Sequence, residues 1–177
     1  MLNKNFLSED FLLQQKNISL SLYPDLNNGI ILIEPNSSIN PIEWSKSNRD
    51  FIERSLLQYG GLLLRGFNIH SISEFNKFSQ VICQNLSEYT YRSTPRSNLG
   101  GRIYTATEYP ADQSIPLHNE NAYSDSWPEK ILFFCAIPAK EGGETPIADS
   151  RKILKRLNKK IVKKFDDKGV LYIRNYF

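Results

Sequence analysis

Prolines at positions 95, 110, 116, 128 and 138 rule out a long helix across the middle of this chain. Each removes a backbone donor and pushes the residue before it away from the helical region. Residues 90–139 carry no helical period between these prolines and read as short extended pieces and loops, an antiparallel, β-rich centre. The flanks are patterned differently. Ahead of the centre, residues 29–34 form an apolar, β-branched run that predicts a buried strand. Asn40-Pro41-Ile42-Glu43 opens a helix, with Asn as cap, Pro at the first position and Glu reaching back. Phe51, Ile52, Leu56 and Tyr59 follow at helical spacing, and Gly60-Gly61 stops the element. Residues 62–67 predict a second buried strand. Ser71 with Glu74 is a capping box opening a helix whose Phe75, Phe78 and Ile82 lie on one stripe. Behind the centre, Asp149 caps a basic amphipathic helix with Ile153, Leu157 and Ile161 at spacing four. Gly169 ends it, and residues 170–174 start a further strand. The pattern is α+β, and a strand opening so late predicts one sheet or barrel left incomplete.

A chain of 177 residues, 40% hydrophobic and 12% aromatic, is long and apolar enough to bury a core. A net charge of +3 is too small to imply nucleic acid or an anionic membrane as a partner, and Lys152, Lys155, Arg156, Lys159, Lys160, Lys163 and Lys164 read as a solvated helix face, a basic nucleic-acid-binding module ranking last among the alternatives. Apolar runs are strand-sized, and the first residues lack a secretory signal pattern, so a soluble, cytoplasmic protein without a membrane partner is expected. Cys83 and Cys135 sit among apolar neighbours and read as small buried hydrophobes in a reducing compartment.

The chain has two histidines, His70 and His118. His70 falls on a turn just before the Ser71 cap and belongs on the surface. His118 lies in Ile115-Pro116-Leu117-His118-Asn119-Glu120. On an extended segment residues two apart share a face, so His118 and Glu120 can present an imidazole and a carboxylate side by side. That donor pair suits a divalent ion such as iron(II), and a third ligand would complete a facial triad. Alone, a His-x-Glu tripeptide is a weak signal, equally read as a surface histidine near an acid. Tyr104, Tyr109, Tyr123 and Trp127 read first as packing residues. Asn119, Asn121 and Tyr123 are the candidates to face a pocket.

The wider context adds to this. Residues 102–110 (RIYTATEYP), 115–120 (IPLHNE), 131–135 (ILFFC) and 142–151 (GGETPIADSR), in that order, resemble the TauD/TfdA-like superfamily of iron(II)/2-oxoglutarate-dependent dioxygenases. They are most similar to its clavaminate synthase-like branch, which carries His-x-Glu. The resemblance runs from about Tyr59 to the last residue. It implies an incomplete double-stranded β-helix (jelly-roll) with flanking helices, residues 1–177 being the N-terminal portion of a single domain. It further implies His118 and Glu120 as iron ligands, and Thr145 as the hydroxyl that hydrogen-bonds the 2-oxoglutarate carboxylate. A carboxylate at position 120 favours a hydroxylase-type outcome over halogenation, because related halogenases open that ligand position. The Gly142-Gly143 pair reads equally as a turn needing positive φ. The family also uses a second histidine and a cofactor arginine from its C-terminal half. No histidine follows His118, and Arg174 falls too early for the arginine. The expectation is therefore an oxygenase half acting on a small molecule such as an amino acid or natural-product intermediate. It would be inactive without a complementing C-terminal chain. The alternative is a non-catalytic remnant or partner-binding fragment of the same fold.

Overall fold

The computed structural model of the chain describes residues 17–23, 29–88, 96–106, 110, 113–173 and 175. They fall into two compact units, Met1–Tyr109 with Leu132–Pro138, and Pro110–Ile131 with Ala139–Phe177.

The first unit is built on a three-stranded sheet, β1 (Ile18–Leu22), β2 (Ile31–Pro35) and β3 (Leu62–Leu64). β2 is central, antiparallel to β1 and parallel to β3, with Ile31 opposite Leu62 and Ile33 opposite Leu64. A parallel pair needs a crossover, here supplied by α1 (Pro41–Ser47) and α2 (Arg49–Tyr59). Ile31 and Ile33 have no exposed surface, as expected of a strand covered on the side they face.

The start of α1 follows its sequence signature: Asn40 Oδ1 accepts from the amides of Ile42 (2.9 Å) and Glu43 (3.1 Å), with Pro41 at the first position. Glu43 does not reach back. Its Oε1 instead takes Lys46 Nζ at 2.8 Å, a charged partner one turn on. The single helix expected up to Gly60 is two helices that meet at Asn48, whose Nδ2 also donates to the Trp44 carbonyl (2.8 Å). Gly60, at φ +85°, closes α2 in the left-handed conformation. The second strand is shorter than the expected 62–67, since Gly66 (φ +73°) and Asn68 (φ +53°) turn the backbone directly after it.

In α3 (Ile72–Ile82) both halves of the capping box are made. Ser71 Oγ accepts from the Glu74 amide (3.1 Å), and Glu74 Oε2 accepts from the amides of His70 (2.9 Å) and Ser71 (3.1 Å). Phe75, Phe78 and Ile82 are buried together with Trp44, Phe51, Ile52, Tyr59 and Phe67. Trp44 meets Phe67 at 5.0 Å and Phe51 edge-on at 6.3 Å. Residues 131–135 alternate: Leu132 and Phe134 pack on this core, Phe134 stacking on Phe75 at 5.0 Å, while Ile131 and Phe133 face outward. Cys135 shares the outward parity and is exposed; Cys83 is half-buried. The expectation of two buried thiols is thus corrected for Cys135, since local apolar composition does not encode which parity faces the core.

The expected β-rich centre is reduced, among the described residues, to a hairpin of β4 (Asn98–Gly100) and β5 (Ile103–Tyr104) in the first unit. Residues 113–149 form no strand, and residues 170–173 none either; residue 174 lies outside the described residues. An extended segment becomes a strand only when a neighbour satisfies its amides and carbonyls, and none of the described residues does so here. In the second unit the Asp149-capped helix is divided into α4 (Ser150–Arg156) and α5 (Lys159–Lys168), the latter capped anew by Asn158. No described residue of this unit is buried. The observed class is α+β, helices with two small sheets. No helix among the described residues is long and apolar enough to cross a membrane.

Candidate metal centre

His118 and Glu120 both lie in the second unit, on a segment without regular structure that runs into a turn at Glu120. Strand pleating therefore does not set their relation. The chain turns directly after Glu120, where Asn121 adopts φ +55°, an asparagine tolerating the left-handed region. His118 Nε2 and Glu120 Oε2 face each other at 3.7 Å. His118 Nδ1 lies 2.8 Å from the Pro116 carbonyl oxygen. A carbonyl can only accept, so a ring hydrogen sits on Nδ1, and the neutral tautomer with that hydrogen carries its lone pair on Nε2, the nitrogen nearer the carboxylate. At 3.7 Å the two groups are beyond direct hydrogen-bond range. Two electron-rich atoms facing one another across such a gap are stabilised by a positive charge between them, a proton or a cation. The donor set, one imidazole nitrogen and one carboxylate oxygen, fits a borderline divalent metal. A backbone carbonyl on the remote ring nitrogen is the usual way a ligating histidine is held in register. The imidazole is well exposed, 58% of its side chain, and the carboxylate less so at 23%, so an ion could reach the pair from solvent. Among the described residues no group of three His, Cys, Asp or Glu side chains is assembled.

Thr145 lies in an exposed coil after the Gly142-Gly143 turn. Both glycines have positive φ, +67° and +80°, as the turn reading expected. A side chain at Gly143 would also meet the Ala139 methyl at 2.7 Å, so this turn excludes any larger residue twice over. The end of the same segment is tied to the His118–Glu120 segment: Ser150 Oγ donates to Asn119 Oδ1 at 3.1 Å, Asn119 lying between the two. Sequence reasoning did not find this link, since no periodicity relates residues 31 apart. Asp149 Oδ1 caps α4 through the Arg151 amide (2.9 Å) and also receives Arg151 Nε (3.0 Å). The side-chain bond from Arg151 holds the Asp149 carboxyl below its ordinary range.

The other candidates are dispersed. His70 is exposed, and its amide, not its ring, is engaged by Glu74. Tyr104 and Tyr123 are half-buried, Tyr123 Oη donating to Asn121 Oδ1 at 3.5 Å. Trp127 is 68% exposed, so it is not the packing residue expected, and Tyr109 lies outside the described residues.

The profile of the taurine catabolism dioxygenase TauD, TfdA family matches residues 34–177. Among its relatives, the dapdiamide synthesis protein DdaC of Enterobacter agglomerans is 40% identical over 125 residues, covering 71% of this chain and 38% of that protein. A clavaminate synthase-like protein of Arabidopsis thaliana is 35% identical over 132 residues, covering 73% of this chain and 40% of its own length. The chain thus spans about two fifths of the length of these relatives. With the profile matched across most of its length, the chain belongs to the taurine catabolism dioxygenase TauD, TfdA family.

Proposed function

We propose that this chain carries the first part of a non-haem iron(II)/2-oxoglutarate-dependent oxygenase site, with His118 and Glu120 as two of the iron ligands. One observation carries the reading: His118 Nε2 and Glu120 Oε2 lie 3.7 Å apart, with the ring's other nitrogen bound to the Pro116 carbonyl. Family membership supports iron as the metal. Bound iron and 2-oxoglutarate would supply the oxidising chemistry, dioxygen being consumed as the keto acid becomes succinate and carbon dioxide. This chain's own residues hold and orient. Glu120 contributes a negative charge to the metal and occupies a ligand position that halogenating relatives leave open, so the outcome is hydroxylase-type. Thr145 donates a hydroxyl hydrogen bond to a carboxylate of 2-oxoglutarate, a charge-assisted contact. A relative named for dapdiamide synthesis supports a small natural-product or amino-acid-like substrate.

A second histidine and an arginine for the keto acid do not follow His118 in a position that matches the family. We therefore assign both to a complementing C-terminal segment that completes a jelly-roll around the pair, in a cytoplasmic enzyme. A second reading, the same fold without metal chemistry, draws on the absence of a third ligand group among the described residues. Anaerobic calorimetry with iron(II) separates the two. Weak binding by the wild-type chain that disappears in His118→Ala supports the oxygenase site; equal heats from both proteins refute it.

A further inference from the structure

The hydrogen bond between Ser150 and Asn119 connects the start of α4 directly to the proposed ligand pair.

Asn119 stands between the two proposed ligands, and its side-chain oxygen is held by Ser150 Oγ at 3.1 Å. Ser150 is the first residue of α4, whose start is set by the Asp149 cap on the Arg151 amide. The anchor is therefore attached to a defined helix start and not to a free loop. His118 is fixed from behind by its own bond to the Pro116 carbonyl. Glu120 follows Asn119 directly and enters the turn at Asn121. A restraint on Asn119 limits rotation of the backbone that joins the imidazole to the carboxylate. Residues 142–149, with Thr145 among them, lead directly into the same anchor.

We infer that Ser150 is a positioning residue for the metal pair, acting through Asn119 to hold His118 and Glu120 in chelating register. This rests on the metal reading above. Partners that orient metal ligands from outside the coordination sphere change affinity by about 10- to 100-fold when removed. An exposed bond such as this one belongs at the lower end, about tenfold.

Manganese(II) serves as the probe, its free ion counted by electron paramagnetic resonance in titrations of the full chain. Ser150→Ala should weaken binding about tenfold, while Ser150→Thr, which keeps the hydroxyl, retains it. Asn119→Ala should cost as much as Ser150→Ala, and the double variant no more than either, because both remove one bond. A general loss of structure would not give that non-additivity or the threonine rescue. Should Ser150→Ala lose helix by circular dichroism, Asn119→Ala, outside any helix, carries the comparison with wild type. Binding that falls in His118→Ala but not in Ser150→Ala or Asn119→Ala overturns the positioning role alone. Additive losses in the double variant overturn it as well. Equal binding by wild type and His118→Ala overturns the metal reading and the positioning role together.

Discussion

Truncating a phenylalanine in each unit locates the stability of this chain. Phe51 is 1% exposed, inside the core of the first unit, with Trp44 edge-on at 6.3 Å. Phe51→Ala removes the ring and leaves a cavity, a change that costs about 3–5 kcal/mol in packed cores. Alanine returns roughly 0.5 kcal/mol of helix propensity in α2, too little to alter the outcome. Phe165, on α5, is 55% exposed. Complete burial of such a side chain is worth roughly 1.5–3 kcal/mol, so less than half of that is at stake. After the propensity gain, Phe165→Ala should cost about 1 kcal/mol or less. The chain has two tryptophans, so a Trp127→Phe background leaves Trp44 as the sole reporter, beside Phe51. In urea, with slopes of about 1–3 kcal/mol per molar, Phe51→Ala should lower the unfolding midpoint by about 1 M or more. Phe165→Ala should move it by a few tenths of that. Equal shifts would refute the assignment of stability to the first unit, as would a Phe51→Ala shift too small to resolve.

Three further expectations concern charge, co-substrate and association. The amide of His70 foremost, and then the bond with Ser71, hold the Glu74 carboxyl below its ordinary range. A folded-state value below the unfolded one stabilises above about pH 4.3, and that stabilisation is lost as pH falls through the folded value. Thermal melts of wild type and Glu74→Gln should therefore differ at neutral pH and converge in acid; a difference independent of pH contradicts the capping role. The 177-residue chain alone should convert no 2-oxoglutarate to succinate. Adding a C-terminal segment from a family member should restore turnover that His118→Ala abolishes and Thr145→Ala weakens by roughly 0.5–3 kcal/mol of binding; succinate from the unassisted chain would sink the half-site reading. Leu171, 83% exposed, and Ile173, 77%, accompany Leu157, Ile161 and Phe165 as exposed apolar side chains. The chain should then self-associate in light scattering, and a clean monomer at high concentration would count against it.

Where a signal is local, the sequence alone determined the outcome. The Asn40 and Ser71 caps, the Gly60 stop, the Phe75, Phe78 and Ile82 stripe, the Gly142-Gly143 turn and the His118–Glu120 pairing were all legible. In each, the deciding atoms lie within a few residues of one another. Only tertiary structure decided the rest. Residues 131–135 and 170–173 are as apolar as β2, yet only β2 becomes a strand, because β1 and β3 stand on either side to take its amides and carbonyls. Cys135 faces outward and Phe134 inward because one parity of that segment meets Phe75. The Asn119–Ser150 bond joins residues 31 apart that no sequence period relates. A one-dimensional pattern records what each segment prefers; which neighbour satisfies that preference is a property of the folded chain.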